Sequence, residues 1–188
     1  MQDRMDFESV NIEITTRIST DDDRQMSTSF TGIIKAYDDD GEDYDIGKIQ
    51  MDRLEVYEAD RIGRDVIDAA DEISQDMLDA AVACFSNPDD DWFNADVLET
   101  IPDAMDAGNM FLIESLFLDP KYRGRNIAAH AVKHCIDTLT KDTAVVICRP
   151  YPIEGVERDE HCNALKTKKL ARAIDSLRNF WKSLGFEK

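Results

Sequence analysis

The chain has 188 residues, 43% of them hydrophobic, with 22 Lys+Arg, 40 Asp+Glu and a formal net charge of −18. That length and apolar content suit one domain with a real core and exclude a disordered chain, while the charge disfavours nucleic acid and anionic membranes as partners. No apolar run approaches the roughly 20 residues of a membrane helix, and Met1–Phe7 has no apolar signal-peptide core, so a cytoplasmic protein is expected.

The charge is unevenly divided. Residues 1–120 hold 8 Lys+Arg against 32 Asp+Glu, a net of −24, and residues 121–188 hold 14 against 8, a net of +6. A basic final third suits a small phosphorylated ligand, and the acidic remainder either confers solubility or attracts a cation. The four cysteines, Cys84, Cys135, Cys148 and Cys162, form no Cys-x-x-Cys pair and are read as thiols packing like small hydrophobes.

Val10, Ile12 and Ile14 alternate with Asn11, Glu13 and Thr15, which predicts a half-buried strand. Phe30–Tyr37 and Tyr44–Val56 predict two more, separated by the turn-forming runs Asp21–Asp23 and Asp38–Gly41. Residues 1–57 are therefore expected to form an antiparallel meander. From Asp60 the period changes: Ile62, Val66, Ile67, Ala70, Ile73, Met77, Leu78, Ala81, Val82 and Phe85 recur at three- and four-residue steps. One long acidic helix is expected there, stopped at Asn87-Pro88, then a loop through Trp92 and a short helix through Val97, Leu98 and Ile101. Met110–Leu118 reads as a strand covered on both faces, Ile127–Leu139 as a helix, Ala144–Cys148 as a buried strand, and Leu165–Leu184 as a last helix. The expected class is α/β, an α+β mixed sheet in a single domain over 1–188, with a helical segment at 60–107.

The segment richest in chemistry is Leu116-Phe-Leu-Asp-Pro-Lys-Tyr-Arg-Gly-Arg-Asn-Ile-Ala128. A buried strand turns at Pro120 into Arg123-Gly124-Arg125-Asn126-Ile127-Ala128, which opens a helix. Unpaired amides at a helix N-terminus, the helix dipole, small residues and two arginines together make a cradle for phosphate or pyrophosphate.

This segment resembles motif A of the GNAT N-acetyltransferase superfamily, Arg/Gln-x-x-Gly-x-Gly/Ala after a strand. Arg123 matches the first position and Ala128 the last, with Asn126 in place of the central glycine. Asn179-Phe-Trp-Lys-Ser-Leu-Gly-Phe186 resembles the family's Phe-Tyr-x-x-Leu-Gly-Phe motif. The wider pattern, including Arg149-Pro150-Tyr151-Pro152 after a strand, is similar to a poorly characterised acidic branch of the superfamily. The likeness covers roughly residues 110–188.

The resemblance implies metal-free transfer of an acetyl group from acetyl-CoA to a small-molecule or peptide amine. The pyrophosphate would lie on the amides of Gly124, Arg125, Asn126, Ile127 and Ala128, beside Arg123. The pantetheine would lie along Leu116, Phe117 and Leu118, and Trp181 would flank the cofactor's other side. Glu114 is the candidate base by its place in the cofactor strand. The family's usual tyrosine acid is replaced by Trp181, which leaves Tyr151 as the candidate acid. Two strands that commonly follow in the family have no counterpart before Lys188. The sheet is then closed differently, for instance by a second copy as a homodimer, or the acceptor side is reduced. The alternative is a catalytically reduced GNAT-like binding module whose acidic surface engages a partner.

Outside the motif, His130 and His134 share a helix face but lack the glutamate of a zinc-protease motif, and His161-Cys162 has no partners in sequence. No metal is expected. No serine has a nucleophile-elbow setting, and the Asp runs lack the calcium-loop pattern.

Overall fold

The computed structural model describes residues 9–18, 26–38, 40–87, 90–104, 108–152, 156, 164 and 167–187. The expectations for Met1–Phe7, Asp21–Asp23, Pro88, His161, Cys162 and Leu165 lie outside the described residues. Two compact units result, Met1–Ile147 and Cys148–Lys188.

In the first unit the meander is as expected. β1 (Ser9–Ile18), β2 (Ser27–Tyr37) and β3 (Asp43–Leu54) pair antiparallel in chain order. β6 (Asn109–Leu118) joins β3 antiparallel, and β7 (Thr143–Cys148) completes a five-stranded mixed sheet in the order β1-β2-β3-β6-β7. The fold is α/β, as the alternation of periods implied.

The long acidic helix is not formed. Its stretch is divided into α1 (Val56–Arg61), α2 (Val66–Asp71) and α3 (Gln75–Cys84). Gly63 takes φ +71 and closes α1: its N–H bonds Asp60 O at 2.8 Å, and Arg64 N–H reaches back to Ala59 O at 2.9 Å. This double closure needs a left-handed residue, which glycine adopts without strain. Asp65 then caps α2, accepting from Ile67 and Asp68 N–H, and Ser74 caps α3, accepting from Met77 N–H at 3.1 Å. The apolar period survives the breaks, so Val66, Ala69, Ala70, Met77, Ala80 and Ala81 still bury one face.

The loop expected after this stretch is also corrected. β4 (Phe85–Asn87) and β5 (Asp90–Phe93) pair antiparallel, with Phe85 and Phe93 stacked at 4.8 Å between centroids. Aromatic residues on either side of Asn-Pro-Asp suit a hairpin, where they can meet across the strands. α4 (Ala95–Thr100) follows as expected, capped by Asn94.

Helices cover both faces of the sheet. α1–α4 pack with Leu54, Met110, Leu112 and Val145 on one face. α5 (Ile127–Leu139) packs through Ile127 and Ala131 against Ile34, Ala36, Ile46 and Leu118 on the other. Each fully buried Val, Leu, Ile or Met contributes about 1.5–3 kcal/mol by leaving water. The second unit contains α6 (Lys168–Ser183), capped by the Thr167 side chain on Leu170 N–H. Among the described residues no helix is long and apolar enough to cross a membrane.

Candidate functional site

Glu114 stands where β6 loses register with β3. Met51 pairs with Ile113 and Gln50 with Ser115, so Glu114 is the extra residue of a β-bulge. A bulge swaps the faces of the side chains that follow it. Before it, Met110 and Leu112 belong to the core under the short helices; after it, Leu116 and Leu118 pack on the α5 side. The face left behind is polar: Ser29, Gln50, Asp52, Glu114 and Ser115, with Ser115 Oγ donating to Gln50 Oε1 at 3.1 Å.

Asp52 is 7% exposed, the one buried charged residue among those described. Ser29 Oγ donates to its Oδ1 at 2.6 Å, and the β3–β6 register sets it beside the bulged Glu114. From the other side comes Ser74. The break before α3 places its Oγ near Glu114, where it accepts from Met77 N–H. Asp76, at the start of α3, adds a second acidic charge.

Glu114 is half-buried, and its pKa lies above the ordinary carboxylate value. Burial is the largest cause, followed by the Asp52 charge and the Asp52 hydrogen bond; the Ser74 hydroxyl opposes the rise and Asp76 adds to it. A carboxylate so placed is a stronger base than one in water.

The same strand runs into the motif loop. After Leu118, Asp119 caps a single 3₁₀ turn, Pro120–Tyr122, by accepting from Lys121 N–H at 3.1 Å. Tyr122 is buried beneath α5, and Arg123 Nε donates to the Leu118 carbonyl at 2.7 Å. Arg123 thus ties the loop to the strand end while remaining exposed. Gly124 at φ +77 and Asn126 at φ +60 are both left-handed, a conformation that Asn tolerates better than most residues. A Cβ at Gly124 would meet nothing within 4 Å.

Asn126 makes no side-chain cap bond, and the His130 N–H is the one that bonds Asn126 O, at 3.0 Å. The amides of Ile127, Ala128 and Ala129 precede it and have no helical carbonyl to meet. Ile127 is buried and Ala128 half-buried, holding the start of α5 on the sheet.

Leu116, Phe117 and Leu118 pair with Ile49, Lys48 and Gly47 of β3 along one edge. β7 lies on the other edge with six residues against ten, so among the described residues part of that edge of β6 has no strand partner in the sheet.

In the second unit, Tyr151 is exposed, with the Arg149 guanidinium 6.0 Å from its ring centroid. Trp181 is buried, meeting Phe180 and Phe186 edge-on at 5.2 and 5.1 Å. Its indole serves an aromatic cluster within its own unit.

His130 and His134 are exposed, and among the described residues no three His, Cys, Asp or Glu gather to hold a metal. Burial pushes the Cys84 and Cys135 thiols up to about 11 and Cys148 up to about 12, which keeps them protonated at neutral pH.

Sequence reasoning singled out Glu114 and the loop but missed Asp52, Ser29 and Ser74. The alternation of Gln50 and Asp52 with Ile49 and Met51 was visible in the sequence. The register that sets Asp52 beside Glu114 depends on the bulge, which left no local mark. No protein-family profile, curated protein or solved structure matches the chain.

Proposed function

We propose that the chain is an acetyl-CoA-dependent N-acetyltransferase acting on a small-molecule or peptide amine. One observation carries the reading: a single strand, β6, bears a bulged carboxyl with raised proton affinity and ends in an exposed loop opening a helix. Four residues of extended strand, roughly 13 Å, separate Glu114 from Leu118 at the strand end. A pantetheine arm spans that distance, so an anion on the loop and a thioester beside Glu114 can belong to one molecule.

The residues fit such a ligand. The amides of residues 124–128 lie at an exposed helix start, the Cβ position at Gly124 is open, and the partnerless stretch of β6 accepts an extended chain. Acetyl-CoA supplies the activated acetyl group. Glu114 takes the proton of the attacking amine, whose nitrogen forms the new amide bond as the carbon–sulfur bond breaks. The sulfur leaves as a thiolate and is protonated by solvent. Holding the reactants together contributes up to several kcal/mol, and the base about 10²–10⁴-fold.

A second reading draws on Trp181, buried between Phe180 and Phe186 at the place of the family's tyrosine acid. It makes the chain a binding module that holds CoA and transfers nothing.

Asn126→Asp tests the loop. Asp tolerates φ +60 and, at a helix N-terminus, favours the fold through the dipole. The expected result is an unchanged or higher thermal midpoint with CoA affinity reduced at least about tenfold, because like charge now meets the pyrophosphate. Asn126→Gly should keep affinity. Equal CoA affinity in all three proteins, read by calorimetry, would remove the loop from the site.

A further inference from the structure

We propose that Asp52 is a positioning residue for Glu114, holding it at the bulge by accepting a hydrogen bond once Glu114 has taken up its proton. The proposal rests on the reading of Glu114 as the base, and it assigns a role to a buried charge that the fold alone does not require. A charge 7% exposed is costly unless it is partnered. The surroundings of Asp52 are unusual: a serine hydroxyl at 2.6 Å and, at the bulge of the neighbouring strand, a second carboxyl.

Two carboxylates can only accept hydrogen bonds. Asp52 and Glu114 can therefore hydrogen-bond to each other only while Glu114 is protonated. That is the state reached after Glu114 has taken a proton from an amine. Asp52 acts on both sides of this step: its charge repels the proton-free Glu114 carboxylate, and its oxygen holds the protonated form. Ser29 supplies the fixed point, because its hydroxyl anchors the Asp52 oxygen from β2. The charged groups facing Glu114 are Asp52 from β3 and Asp76 from α3, joined by the Ser74 hydroxyl.

The test is carboxyl-carbon NMR titration of Glu114 in the full chain and in Asp52→Asn. An asparagine keeps the shape and the Ser29 bond but removes the charge, and its amide donates to the ionised Glu114. The Glu114 midpoint should fall toward the ordinary carboxylate range, stopping short of it because burial remains. Asp52→Ser, which also removes the charge and leaves a hydroxyl near Ser29, serves as the second variant and should move the midpoint the same way. In an acetylation assay, the acid limb of the pH–rate profile should follow, with a rate loss of about tenfold or more.

A structural role alone would lower the rate at every pH and leave the midpoint still. An unmoved midpoint in either folded variant overturns the proposal. A falling midpoint in a protein that acetylates nothing supports the carboxyl pair and refutes the acetyltransferase reading instead.

Discussion

Glu114→Gln is expected to slow acetyl transfer by about 10²-fold or more, to leave CoA affinity within twofold, and to raise thermal stability at neutral pH. The first effect follows from removing the group that accepts the amine proton. The second follows because Glu114 lies four residues from the end of the strand and carries no part of the anion loop. The third comes from linkage. Burial and the Asp52 and Asp76 charges hold the folded pKa of Glu114 above its unfolded value. Between those two values the folded state keeps a proton that the unfolded chain has released, so stability falls as pH rises through the interval.

Above the interval the folded protein carries an unfavourable buried charge. Gln removes it, and its amide donates to Asp52 while its carbonyl accepts from Ser74. A higher thermal midpoint at pH 7.5 is expected. Near pH 4 the difference should close. Thermal melts across pH and single-turnover assays check both halves. An unchanged rate removes Glu114 as the base, and an unchanged melt at every pH contradicts its raised proton affinity.

Phe111→Ala carries the largest expected loss of stability. Phe111 is 0% exposed and meets Phe30 at 5.7 Å between ring centroids, on the sheet face opposite Leu112. Truncating a buried Phe loses its transfer free energy and leaves a cavity, together about 3–5 kcal/mol. Phe117, six residues along the same strand, is exposed, and its truncation should cost about 1 kcal/mol or less. Denaturant melts of the two variants measure the contrast. Similar losses would mean that the face swap at the Glu114 bulge is wrong, since that bulge turns Phe117 out to solvent.

How much of this was legible in the sequence differs from element to element. The strands β1–β3, β6 and β7 and the helix α5 announce themselves through period and length. The two breaks in 56–84 were written there too, the first as Gly63 and Asp65 and the second as Ser74, but an unbroken apolar period concealed them. One face stays buried across all three helices, so periodicity alone does not distinguish them from one. The β4–β5 hairpin is short and rich in Asp, and looks like loop by composition.

The anion loop was readable because glycine, Asn126 and the first turn of α5 act locally. The carboxyl pair was not. Asp52 and Glu114 are 62 positions apart, and their meeting depends on β3–β6 register and on one extra residue in β6. Such long-range pairing leaves no periodic signal in either strand.

The most direct test of the account is calorimetric titration of the purified chain with acetyl-CoA and with CoA. Micromolar binding of both, weakened at least about tenfold by Asn126→Asp, is the result the account predicts. No heat at millimolar ligand, with no rise in thermal midpoint, would contradict the cofactor site at the head of α5 and with it the proposed transfer.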